Sequence, residues 1–163
     1  MPHENFANKN QEDKTDKQKV VEILSSSTSG SLFYIPYPGR SHAYALTNPA
    51  TATEEEIKAN MQENPLLKNL TAQDIVDACL QANNVYALIG NLPLIEKKGI
   101  IDHDMVIKAV LNIDNGTYAE YIINNLKNGT FRNVSDETLT LLSNALNGKY
   151  KDEVSEYKNS LNN

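Results

Sequence analysis

Three histidines, one cysteine and a few carboxylate clusters carry the reactive chemistry this sequence offers. His3, His42 and His103 share no metal-ligand spacing. Asp102-His103-Asp104 brings two carboxylates and an imidazole together. That triplet reads better as the start of a helix, with an N-cap and a first-turn acid around an exposed histidine. Asp114-Asn115-Gly116 resembles the turn of a calcium loop, yet the alternating ligand positions before its glycine fall on Leu111 and Ile113. Cys79 is the one sulfur nucleophile. Its spacing from Ile75, Ala78 and Ala82 puts it on an apolar helical stripe, where a free thiol behaves as a small buried apolar group. Glu54-Glu55-Glu56 reads as a solvated first turn. No Gly-x-Ser-x-Gly and no phosphate-cradling glycine loop occurs. The expectation is no catalytic residue, no cofactor-binding residue and no metal ligand. A small enzyme built around Arg40, His42 and the neighbouring tyrosines is the alternative.

The elements that would position these residues begin after a polar head. Met1–Lys19 mixes Glu4, Glu12, Asp13 and Asp16 with Lys9, Lys14, Lys17 and Lys19, and Phe6 is its one aromatic. Such a stretch buries too little apolar surface to offset its ordering entropy. Residues 1–31 are therefore expected to form a disordered tail ending in a Ser-rich linker. A short helix at Asp16–Leu24 is foreshadowed by Val20, Val21, Ile23 and Leu24. The head lacks the apolar core of a secretory signal and the arginines of a mitochondrial presequence. Leu32-Phe33-Tyr34-Ile35-Pro36-Tyr37-Pro38-Gly39-Arg40 follows. Its prolines exclude a helix, so Tyr34 and Tyr37 belong to an extended arm that packs on its own domain or docks on a partner.

From there the chain repeats itself every 32 residues. Asn83-Asn84-Val85-Tyr86, Asn115-Gly116-Thr117-Tyr118 and Asn147-Gly148-Lys149-Tyr150 stand in register without a gap. Ile75, Ile107 and Leu139 share that spacing, as do Ala78, Val110 and Leu142. In the first copy Ile75, Ala78, Cys79 and Ala82 fall at i, i+3, i+4 and i+7, one stripe of an α-helix, and the later copies repeat it with Asp114 and Ser143 as polar members. Thr71, Asp102 and Ser135 precede the three stripes as N-caps, with Asp74, Asp104 and Asp136 in the first turns. Each first helix should end at its asparagine, which tolerates left-handed backbone. Second helices are expected at Val85–Lys97, Tyr118–Leu126 and Tyr150–Leu161, the first shortened by Pro93. Thr53 and Glu56 have capping-box spacing for an earlier, degenerate unit whose first helix would be Ser41–Asn48.

The predicted fold is all-α: helical hairpins repeated with a 32-residue period, as a short α-solenoid or a compact multi-helix bundle. One repeat domain would span 32–163, with units at about 66–99, 100–131 and 132–163 and the degenerate unit at 41–65. The polar last helix, with Lys151, Asp152, Glu153, Glu156 and Lys158, suits a cap on such an array.

Over about 60% of the chain this pattern resembles the tetratricopeptide and pentatricopeptide helical repeats. The stretch from Leu126-Lys127-Asn128-Gly129 through Leu139 to Leu161 is most similar to a pentatricopeptide unit. The Trp, Leu-Gly, Tyr, Ala and Pro signature of tetratricopeptides is absent, and the period is shorter than theirs. The resemblance implies binding to proteins or, for pentatricopeptide arrays, to single-stranded RNA. Charge argues against the second, which stands as the alternative. The formal net charge is −6, and residues 66–131 hold five basic against seven acidic side chains, with no basic stripe.

The expected role is a non-catalytic protein–protein interaction module, a cytoplasmic adaptor of the producing cell or a bacterial effector acting in a host. Its expected partner is another protein, contacted along the first helices or the inter-repeat turns. No cofactor and no membrane-spanning segment is expected. Tyr86, Tyr118 and Tyr150, with Tyr34 and Tyr37, are the candidate contact residues, because Tyr is enriched at binding hot spots. The opposing reading makes the three repeated tyrosines packing residues with wet hydroxyls.

Overall fold

Polar side chains start these helices. In the computed structural model, which describes residues 14–26 and 53–162, Thr53 Oγ1 accepts the Glu56 N–H at 3.2 Å and Glu56 Oε1 accepts the Thr53 N–H at 3.4 Å. Thr71 and Asp74 form the same reciprocal box at 3.0 Å in both directions. Asp102 Oδ1 accepts from the Met105 N–H at 3.3 Å, and Ser135 Oγ from the Thr138 N–H at 3.2 Å. Each box or cap satisfies amides that the helix geometry leaves unpaired. The result is all-α, with nine helices and no strand among the described residues. The chain forms two compact units, Met1–Gly99 and Ile100–Asn163.

The N-terminal unit contains α1 (Asp16–Ser26), α2 (Glu54–Glu63), α3 (Ala72–Gln81), α4 (Val85–Gly90), α5 (Leu92–Ile95) and a 3-10 turn at Glu96–Lys98. Its centre is α3, whose Ile75, Val76, Ala78 and Cys79 are fully buried. The short helix foreshadowed at Asp16–Leu24 of the polar head is formed as Asp16–Ser26. Val20 and Leu24 of α1 are buried, and α1 packs on α3. Lys17 Nζ reaches Asp77 Oδ2 at 3.4 Å, and Asn84 Nδ2 donates to the Leu24 carbonyl at 3.1 Å. Four apolar residues in five positions near its end supply the burial that the rest of the head lacks. The expected helix Val85–Lys97 is broken into three pieces. Pro93 restarts the helix at α5, and the buried Asn91 fills the break by donating to the Ala87 carbonyl at 2.9 Å. Lys98 Nζ then donates to the Met61 and Leu67 carbonyls, at 3.0 and 3.1 Å, tying the last turn of this unit to the end of α2.

The C-terminal unit contains α6 (His103–Leu111), a 3-10 turn (Ile113–Gly116), α7 (Ala119–Lys127), α8 (Asp136–Gly148) and α9 (Lys151–Ser160). Ile107 and Val110 of α6, Ile122 and Ile123 of α7, and Leu139 and Leu142 of α8 make the core. α8 packs on α6, and α9 packs on both α7 and α8. α9 buries Val154 alone, so its polar character matches a solvated outer helix. Regular α8 geometry ends before Ala145, because Leu146 and Asn147 have φ of 50° and 60°. Asn83 and Asn115 are left-handed too, at 54° and 55°. Asparagine is among the few side chains that take this backbone at modest cost, through local hydrogen bonding.

Candidate functional site

Cys79 is settled by its surroundings. It is fully buried in α3, and desolvation pushes its thiol up to about 12. A thiol held protonated in an apolar core does not act as a nucleophile at neutral pH. Among the described residues no three His, Cys, Asp or Glu side chains gather as a metal site would require. No described helix is long and apolar enough to cross a membrane.

The repeated tyrosines occupy unequal environments. Tyr86 sits on α4 of the N-terminal unit with 45% of its surface exposed. Tyr118 stands half-buried at the N-cap of α7. Tyr150 stands at the N-cap of α9 and is only 8% exposed. Its hydroxyl lies 3.5 Å from Glu120 Oε2, and Lys149 Nζ lies 5.5 Å from its ring centre. Tyr34, Tyr37, Arg40 and His42 lie outside the described residues, as does the expected helix Ser41–Asn48.

His103 corrects the expectation of an exposed histidine. It is buried, and its ring meets Phe131 edge-on with centroids 5.7 Å apart. Its Nδ1 accepts the backbone N–H of Arg132 at 2.9 Å. Beside it, Asp104 Oδ1 accepts from the Ser135 N–H at 2.9 Å and from the Ser135 hydroxyl at 3.2 Å. The backbone hydrogen bond from Ser135 holds the Asp104 carboxyl below the ordinary aspartate value. The first turn of α6 is thus the anchor for the loop that enters α8. The missed signal was Phe131: one large apolar residue among polar ones in that loop must be buried somewhere, and the nearest aromatic partner is His103.

Two depressions open on the C-terminal unit. The first, about 330 Å³, lies between α6 and α8 beside the Ile113–Gly116 turn, with Lys108, Leu111, Asn115, Gly116, Leu141 and Ala145 around it. Leu141 and Leu146 are 45% and 40% exposed there and nearby, and a Cβ added at Gly116 would meet Ala145 and Leu146. The second, about 590 Å³, lies between the Gly129–Asn133 loop and α9. Either volume suits a side chain or a short segment. The chain matches no family model, no curated protein and no solved structure.

Proposed function

We propose that this chain is a non-catalytic helical-repeat module that binds another protein through the face carried by α6 and α8. The observation that carries the reading is apolar surface left in water: Leu141 and Leu146 stand exposed at and near a depression floored by Leu111 and Ala145. Exposed leucines at and near one depression suit a docking surface. The recurrence of left-handed asparagine at 83, 115 and 147 supports a 32-residue hairpin unit. In that register α6 and α8 are the first helices of successive units, the surface expected to meet a partner. The buried, unreactive thiol is in keeping with a reducing cytoplasm, of the producer or of a host. Tyr86 is assigned to the exposed surface and Tyr150 to packing.

Selection of a displayed peptide library against the folded chain tests this. Binders should be recovered that lose the Leu141→Asp, Leu146→Asp double variant while that variant keeps its helical circular dichroism. Binders that do not discriminate between the two proteins would remove the assignment of this face.

A further inference from the structure

The larger groove of the C-terminal unit is a second, separate site. Leu126, Phe131 and Arg132 line one side, and Glu156, Tyr157 and Leu161 of the α9 end line the other. Tyr157 is half-buried on that wall, and its burial raises the hydroxyl above the ordinary phenol range. Leu161 contributes an exposed aliphatic rim.

Arg132 is the distinctive group. It is one of two arginines in a chain with thirteen lysines. The neighbouring cations are matched by acids: Lys127 reaches Glu153 at 3.3 Å, and Lys158 reaches Asp136 at 3.9 Å. Among the described residues no carboxylate pairs with the Arg132 guanidinium, and its side chain is exposed. Its backbone is nonetheless fixed. The Arg132 N–H is held by His103 Nδ1, Phe131 is buried against the same imidazole, and the Phe131 N–H donates to the Asn125 carbonyl at 3.1 Å. The anchored loop thus fixes where the arginine starts beside the groove, and only its side-chain torsions remain to be ordered when a ligand arrives.

We propose that this groove binds a peptide segment in which a bulky apolar side chain lies close to a carboxylate. The apolar side chain packs on Tyr157 and Leu161, above the buried Phe131, and the carboxylate takes the planar fork of Arg132. Arginine matches a carboxylate with two parallel hydrogen bonds. A phosphorylated segment is disfavoured by Glu156 on the facing wall, since a dianion would meet that carboxylate with only one arginine to offset it.

Two pools of short, end-blocked, fluorescein-labelled peptides test the proposal by anisotropy against the full chain. In one, Leu or Phe stands within three residues of Asp or Glu. In the other, Asn or Gln replaces the acid. The acidic pool should bind about threefold tighter, the scale of an exposed arginine–carboxylate pair. Arg132→Gln should abolish that difference while leaving the thermal melt unchanged, and Leu161→Asp should weaken both pools. Equal affinity for the two pools overturns the proposal, as does a preference that survives Arg132→Gln. Self-association of the unlabelled chain that Leu161→Asp abolishes would assign the groove to a second copy and overturn it equally. Leu141→Asp should leave the peptide affinity untouched, which separates this site from the α6–α8 face.

Discussion

Residues of the same type do different work here according to what surrounds them, and the tyrosines show it best. Tyr150 closes over the start of α9, whereas Tyr86 keeps nearly half its surface in water. Tyr150→Ala should therefore lower stability by about 3 kcal/mol, and Tyr86→Ala by less than about 1 kcal/mol, read from urea midpoints. The aspartates add a pH dependence. Asp74 is held below the ordinary 3.8 by the Thr71 backbone bond, and Asp104 is lowered by the Ser135 backbone bond. A carboxylate depressed in the folded state contributes fully above its unfolded value and loses that contribution as pH falls through the folded one. Stability should thus be flat near neutrality and decline below about pH 4, and Asp104→Asn should make that decline shallower. The N-cap roles of Thr71, Asp102 and Ser135 were legible in the sequence because a cap acts within four residues. The bond from Arg132 to His103 spans 29 residues and leaves no local pattern.

At the scale of elements, the head of the chain carries the sharpest test. α1 contributes Val20 and Leu24 to the core beside α3. Leu24→Ala should cost the N-terminal unit about 2–4 kcal/mol, measured by chemical unfolding. A head that contributed nothing to the fold would show no change. Mean composition argued for disorder because Lys, Asp, Gln and Glu dominate 1–19, and four apolar residues near the end of α1 outweighed it. The break within Val85–Lys97 was half visible. Pro93 announced a shortened helix, but that Asn91 would turn inward and bond Ala87 was not, since asparagine patterns in this chain otherwise read as solvated turns. Asn60, Asn64, Asn91 and Asn125 are all buried. Asn91 and Asn125 each donate to the carbonyl four residues back, at 2.9 and 2.8 Å, so some of the chain's 21 asparagines serve interior hydrogen bonding.

For the whole molecule, the division at Gly99–Ile100 has a direct consequence. Ile100 is 98% exposed, and thermolysin cleaves before exposed isoleucine. Limited thermolysin digestion should first cut this bond and release two helical fragments, identified by mass. If the first cuts fall inside α3 or α8 instead, the two units do not hold their own structure. A fragment of 64 residues is small for independent stability, so Ile100–Asn163 should melt at a lower temperature than the intact chain. Fold class and most helix positions could be read from spacing, because periodic apolar residues report one helix face at a time. The division into two units could not, since it depends on which faces meet. The groove beside Arg132 escaped for the same reason: its walls come from segments about 25 residues apart, and neither carries a recognisable motif.

The dipeptide that ends several of these helices also sets a clock. In Asn-Gly the glycine nitrogen can attack the asparagine side-chain carbonyl, expelling ammonia, and the succinimide then opens to aspartate or isoaspartate. Asn128-Gly129 is restrained against this. The Gly129 nitrogen is engaged with the Leu126 carbonyl at 3.2 Å, and Asn128 Oδ1 accepts from both the amide and the hydroxyl of Thr130, at 3.0 and 2.7 Å. Asn115 and Asn147 are exposed in left-handed turns. During prolonged warm storage, peptide mapping should find deamidation at Asn115 and Asn147 well before Asn128. Each such event adds a negative charge at a chain reversal, and the isoaspartate product also inserts a backbone methylene, so the protein should age from its turns inward.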